Sequence, residues 1–336
     1  MKKLKFAIFG VGRMGSLHLS NIDKHPNCEI VYICDTALKS KSRLKRIYKD
    51  KVVRDFSKVF KDKSIDVIFI SSSTNSHLKL IIASIKSKKN IFCEKPIDLD
   101  LNKINKFKNI CSNFNKTFQI GFNRRYDPSI SALVNKSKSK KIGNVEKVII
   151  TSRDRSAPSL KYLKTSGGIL KDCVIHDIDL LLNIFGEDKI KEVFCYASNL
   201  FDKNIKKIKD YDTIVSIFKT FKGKIGMINN SRRSVYGYDQ RVEVFSSEGM
   251  IQTNNINELN ILEYNKDMTS KKPKYLNFFL ERYKESFKIE LDDFVKSVIN
   301  KKKSNVGFED CRKALIICDA LSKSIKLNKS IKVNFD

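Results

Sequence analysis

Residues 5–15 read KFAIFGVGRMG. The apolar run FAIF ends in Gly10, and glycines at 10, 12 and 15 give the spacing G-x-G-x-x-G. The pattern predicts a buried strand, a tight turn and the start of a helix. Gly10 permits the turn, Gly12 lets a phosphate approach the backbone, and Gly15 lets helix and strand pack closely. The first N–H groups of the helix, and its partial positive charge, then face an anion. Gly10, Gly12 and Gly15, with Arg13 and Met14 inside the turn, are thus candidate dinucleotide-binding residues. The lysines of the opening MKKLK give this start the look of a secretory leader, but the glycines and Arg13 interrupt the apolar run and no small-residue cleavage site follows.

Downstream, the same rhythm repeats. EIVYICD (29–35), IDVIFIS (65–71), NIFCEK (90–95) and TFQIGF (117–122) are near-continuous apolar runs, separated by amphipathic stretches around 37–49, 76–89 and 101–114. Strands that are apolar on both faces belong in a parallel sheet covered by helices on both sides, a doubly wound Rossmann arrangement. Asp35 closes the second run, 20 residues after Gly15, where a carboxylate binds a ribose diol and repels a 2′-phosphate. That favours NAD over NADP, while Lys39 and Arg43 just beyond leave some NADP use open. SSSTNSHL (71–78) follows at the carboxyl edge of the sheet, so Thr74 and Asn75 either contact the dinucleotide or cap a helix starting near Ser76. Glu94 and Lys95, in FCEKPIDLD, reach the same edge. An E-K-P tripeptide is also compatible with a plain turn, and its proline raises the option of a cis bond.

Beyond residue 122 the apolar runs alternate in polarity: NVEKVIITSRD, IKEVFCYAS, YDTIVSIFKTF, KIGMINNSRR and RVEVFSSEG. These, with MIQTNN and ELNILEY, predict an open, mostly antiparallel sheet in an α+β domain, with helices near 128–139, 281–300 and 307–327. The expected division is a dinucleotide-binding domain over 1–121 and a second domain over 122–336.

Composition narrows the function classes. The net charge is +29, from 66 Lys and Arg against 37 Asp and Glu. The basic residues are mostly lysines spread in short loop-like groups such as KSKSKK and NKKKSN, with no base-reading helix or stacking-aromatic motif. We therefore expect a solvated lysine-rich surface and no nucleic-acid partner. No apolar run approaches the roughly 18 residues of a membrane span, so no membrane partner is expected. The eight cysteines (28, 34, 93, 111, 173, 195, 311 and 318) form no CxxC pair and no cluster with histidine, so neither disulfides nor a metal are expected. They read as buried thiols of a cytoplasmic protein.

GGILKDCVIHDIDL (167–180) is an apolar helical stretch that carries Asp172, His176 and Asp179 at i, i+4 and i+7, the spacing of one helix face. Burying that stripe is costly unless each group is paired or used. His176 alone is compatible with a satisfied core histidine. Taken with the glycine motif and Glu94–Lys95–Pro96, however, the whole chain resembles the Gfo/Idh/MocA oxidoreductases, which join a Rossmann domain to an α/β domain whose open sheet often forms an oligomer interface. The resemblance implies that Lys95, Asp172 and His176 form the catalytic set and that the cofactor is NAD. It also implies oxidation of a secondary alcohol of a cyclic polyol, closest to myo-inositol giving 2-keto-myo-inositol, by a homo-oligomer (tetramer or dimer). The alternatives are a related sugar or nucleotide-sugar dehydrogenase and a non-catalytic NAD-binding regulator. Imidazole, with an ordinary pKa of about 6.5, suits the general base, and a lysine cation suits a developing alkoxide. GFNRRYDPS, SRDRSAP and RSVYGYDQR carry the implied substrate contacts: Asn123, Arg124, Arg153, Asp154 and Tyr236, beside Asp172 and His176. Asp179 is expected to be structural.

Overall fold

The structure, a computed structural model, describes residues 3–36 and 43–336. It divides into two compact units, residues 1–123 with 287–312, and 124–286 with 313–336. Beside the expected division, the first unit runs on to 123 and, the larger difference, 287–312 joins it. The helix Lys284–Ile299 explains the difference. Phe294 meets the rings of Phe6 and Phe92 edge-on at 6.5 and 5.6 Å, while Phe69 and Phe92 stack at 4.2 Å. Leu291, Val295 and Val298 complete that core.

The first unit is built on six parallel strands: β1 (Leu4–Phe9), β2 (Cys28–Cys34), β3 (Val52–Val53), β4 (Val67–Ile70), β5 (Asn90–Glu94) and β6 (Phe118–Gly121). Their order, β3-β2-β1-β4-β5-β6, reverses between β1 and β4, and the open sheet binds its ligand at such a crevice. All four residues of β4 and the last four of β1 are buried, as a sheet covered on both faces requires. The short β3 was not expected. Of the helix expected over 37–49, Arg43–Ile47 is helical and 37–42 lie outside the described residues. The stretch 101–114 forms two short helices, Leu101–Lys106 and Lys108–Ser112.

The second unit carries a seven-stranded sheet. Its strands are β7 (Val145–Arg153), β8 (Ile190–Ser198), β9 (Thr213–Thr220), β10 (Ile225–Ser231), β11 (Asp239–Ser246), β12 (Gly249–Gln252) and β15 (Ile331–Lys332). The order is β12-β11-β7-β10-β9-β8-β15, antiparallel except for β7 beside β10. ELNILEY does not join it; β13 (Glu263–Asn265) pairs only with β14 (Met268–Lys271). The helix Pro128–Lys138 starts as its sequence dictates, with Pro128 in the first turn and the Asp127 side chain accepting the Ile130 N–H at 3.0 Å. Among the described residues, no helix is long and apolar enough to cross a membrane, and no cluster of His, Cys, Asp or Glu could hold a metal.

One buried group in the first unit runs against stability. Glu290 is fully buried and neither carboxylate oxygen has a hydrogen-bond partner. Burial, then the charges of Glu94 and Asp293, push its carboxyl well above the usual carboxylate range. The folded protein therefore keeps a proton that the unfolded chain releases above its ordinary pKa, so stability falls as pH rises from there. Glu290→Met should raise stability at pH 8 by about 1–3 kcal/mol and much less at pH 4. Denaturant unfolding at both pH values checks this; an equal gain at each would refute it.

Candidate active site

In the first unit the glycine turn is built as its spacing predicts. Gly10 has φ +87°, and a Cβ there would stand 2.4 Å from the Ser72 Cα. A Cβ on Gly15 would lie 2.0 Å from the Gly10 carbonyl oxygen, so only glycine lets helix and strand approach this closely. At Gly12 a Cβ would meet nothing within 4 Å. Gly12 is also the N-cap of the helix Arg13–Lys24 and gives its first turn no side-chain cap, as an anion site at a helix start requires. Arg13 is exposed and Met14 half-buried on that first turn. These features fit a dinucleotide's pyrophosphate. Asp35 stands just past β2, and its Oδ2 accepts the Val11 N–H at 2.8 Å, a hold on the turn that its spacing did not reveal.

The loop after β4 differs from expectation in its start. The helix begins at Thr74, with Ser73 as its N-cap, so Thr74 and Asn75 lie within the first turn and do not cap a helix near Ser76. Asn75 Oδ1 accepts from the Ser73 hydroxyl at 2.7 Å. Glu94 ends β5, and the following Lys95–Pro96 bond is cis. The Glu94 carboxylate turns to His18 Nε2 at 2.7 Å, while Lys95 is half-buried. His77 links the two loops: its ring nitrogens lie 2.8 Å from the Pro96 carbonyl oxygen and 2.9 Å from that of Ser72. Burial foremost lowers the His77 pKa. A neutral ring donates through only one nitrogen, so one of these two contacts is then no hydrogen bond. Neither His18 nor His77 was a sequence candidate. Histidine's scarcity was the available signal, since only four occur in 336 residues. Asn123, buried, ends this unit and opens a 3-10 turn.

In the second unit, GGILKDCVIHDIDL is not one regular helix. Leu170–Val174 wind as a π-helical turn before the α-helix Ile175–Phe185. The wider i→i+5 winding breaks the stacking that i, i+4 and i+7 would give an α-helix, and such turns recur at functional sites. The acids accordingly engage different partners. Asp172 Oδ1 accepts from the Tyr162 hydroxyl at 2.8 Å, and Oδ2 from Arg232 Nη1 at 3.1 Å. Asp179 is forked by Arg125, with Nε and Nη2 at 2.7 and 2.5 Å. His176 is half-buried, one residue into the α-helix.

Arg124 stands apart from the role expected of it. It is buried, and its Nη1 donates to Asp177 and, at 2.9 Å, to Ser152. Asp177 also accepts from Ser152 at 2.6 Å and from Asn230 at 2.8 Å. A guanidinium committed to this buried network braces the helix and sheet. Arg153 and Tyr236 are brought together: Nη1 donates to the phenol oxygen at 2.5 Å, and that hydroxyl donates to Asp239 at 2.9 Å. Asp154 is half-buried with Cys173 Sγ 3.5 Å away, and burial foremost raises its carboxyl to about 6 against the pull of Arg232. The eight cysteines are all thiols, and all but Cys173 are buried.

A glycine turn at the switch point of a parallel sheet and, in the other unit, an acid on a π-helical turn with a histidine at the start of the following α-helix are the features of a dinucleotide-dependent oxidoreductase. Residues 4–122 match the oxidoreductase family with an NAD-binding Rossmann fold, and 132–252 match the Gfo/Idh/MocA C-terminal domain. The chain is 36% identical to the myo-inositol 2-dehydrogenase of Thermotoga maritima over 98% of both chains. It is 33% identical to the inositol 2-dehydrogenase of Rhizobium meliloti, over 98% of this chain and 99% of that one. Among solved structures, a myo-inositol dehydrogenase from Corynebacterium glutamicum superposes with a TM-score of 0.93, at 34% identity over 99% of both chains. The protein belongs to the Gfo/Idh/MocA oxidoreductase family.

Proposed function

We propose that the protein oxidises a secondary alcohol of a cyclic polyol with NAD, converting myo-inositol to 2-keto-myo-inositol. The observation that carries this reading is the end-to-end likeness to inositol dehydrogenases in a chain whose π-helical turn presents Asp172 just ahead of His176. NAD, held by the glycine turn, would supply the hydride acceptor for the carbinol carbon. The protein's residues manage the rest. His176 takes the hydroxyl proton as general base. Asp172, its oxygens already oriented by Tyr162 and Arg232, holds a neighbouring ring hydroxyl. Lys95 stabilises negative charge on the carbinol oxygen as the proton departs. On this reading Asp35 grips the adenosine ribose, Gly10, Gly12 and Gly15 admit the pyrophosphate, and Thr74 and Asn75 line the dinucleotide. Glu94, whose carboxylate is turned to His18, serves the cofactor through its backbone. Asn123, Arg153, Asp154 and Tyr236 border the substrate.

Assembly as a homo-oligomer in the cytoplasm completes the proposal. Phe194, Ile217, Met227 and Ile149 stand directly opposite one another across β8, β9, β10 and β7, on the sheet face left unburied. With Tyr196 and Val215 beside them they form an apolar strip of the kind that marks an interface. Reduced buried thiols suit the cytoplasm. A screen of NAD reduction over inositol isomers and hexoses, on protein whose mass in solution is measured, tests both parts. Myo-inositol should be the best substrate, on a species heavier than one 38.7 kDa chain. No turnover with any isomer would overturn the activity, and a monomer would overturn the assembly.

A further inference from the structure

Arg232 follows β10 and is fully buried in the second unit, where its backbone N–H donates to the Asp212 carbonyl at 2.8 Å. Its side chain faces three carboxylates. Nη1 lies 3.1 Å from Asp172 Oδ2 and 3.9 Å from Asp154 Oδ2, and Nη2 lies 3.6 Å from Asp210 Oδ2. The Cys173 sulfur is 3.3 Å from Nη1. Burying a guanidinium is costly, and here the cost is not fully offset: neither Nε nor Nη2 makes a hydrogen bond. An incompletely satisfied buried cation is a poor stabilising device, so its presence calls for another reason.

The surrounding contacts supply one. Asp210 Oδ1 accepts the Ile169 N–H at 2.9 Å, and a Cβ on Gly168 would come within 2.8 Å of the same oxygen. Asp210 therefore pins the chain immediately before the π-helical turn while its other oxygen faces Arg232. Arg232 in turn takes one oxygen of Asp172, on that turn, and Tyr162 takes the other. With both oxygens held, the carboxylate has one orientation. A group held by locked neighbours reaches productive geometry without reorganisation.

We propose that Arg232 is a positioning residue for the alcohol oxidation, clamping the Asp172 carboxylate to the π-helical turn through the chain Asp210–Arg232–Asp172. The inference rests on the reading that Asp172 works on substrate. Arg232 also balances the charge of Asp154, Asp172 and Asp210. Without it these acids face one another, with Tyr162, Tyr238, the Cys173 thiol and the charge of Arg124 among the ionisable groups around them. Like charges favour the protonated form, so the acidic limb of the rate profile should move to higher pH.

The test compares Arg232→Lys, Arg232→Met, Tyr162→Phe and Asp172→Asn in the full chain, with kcat and KM for myo-inositol across pH and NAD affinity by calorimetry. We expect Arg232→Met to lower kcat about 10–100-fold with NAD affinity unchanged and the acidic limb shifted upward. Arg232→Lys should recover part of kcat and return the limb towards its original pH. Tyr162→Phe, at an exposed position, should cost kcat a few-fold. If Asp172→Asn keeps full turnover, the reading of Asp172 fails, and this inference with it. If Asp172→Asn is inactive while both Arg232 variants keep the parent kcat and pH profile, the positioning role alone is overturned. Should both Arg232 variants fail to fold, an unchanged kcat and pH profile in Tyr162→Phe overturns the clamp.

Discussion

His176→Ala should lower kcat for myo-inositol oxidation by about three orders of magnitude while leaving the affinity for NAD within a few-fold of the parent. A positioned base contributes roughly 10²–10⁴ to a proton transfer, and an alcohol cannot deliver hydride while its oxygen keeps the proton. His176 stands one residue into the helix that follows the π-helical turn, in the unit that does not contain the glycine turn. Its loss should therefore spare cofactor binding. Steady-state NAD reduction and calorimetric NAD titration decide the matter together. Weak NAD binding with intact turnover at saturation would move His176 out of the proton-transfer role and into the cofactor site.

Lys95→Ala should lower kcat about 10²–10³-fold, again with NAD still bound. The charge that grows on the substrate oxygen is absent in the ground state, so a cation placed for it acts on the barrier more than on substrate affinity. The residue's setting supports placement over simple solvation. Lys95 is half-buried, follows Glu94 at the end of β5, and precedes Pro96, whose carbonyl oxygen is 2.8 Å from His77. Lys95→Arg should recover only part of the rate, because a planar fork does not reproduce a compact ammonium. An alanine variant with a raised KM and an unchanged kcat would instead mark Lys95 as a uniform binding contact.

Much of this was readable in advance because it depends on local rules. Strands buried on both faces have no polar alternation, so 5–9 and 65–71 announced a parallel sheet. The glycine spacing announced a turn that only glycine can make, and the distances around Gly10 and Gly15 give the steric reason. The features that escaped depend on tertiary partners. Nothing in KIELDDFVKSV says that Phe294 packs on Phe6, which is what moves 287–312 into the first unit. A π-helical turn has no composition of its own, so Asp172 and Asp179 looked like one face until their partners, Arg232 and Arg125, separated them. Arg232 was one arginine among 66 basic residues, and only its burial beside three carboxylates sets it apart. Arg124, expected at the substrate from its motif, has a buried partner in Asp177 that the motif does not disclose.

The bond from Asp35 to the Val11 N–H bears on attempts to change the coenzyme. The carboxylate proposed to select against a 2′-phosphate also tethers the loop that receives the pyrophosphate. A designer who removes it to admit the phosphorylated coenzyme also unties that loop. On that proposal coenzyme choice and loop order are one variable, and a successful exchange needs a replacement acceptor for Val11 as well as a new cation.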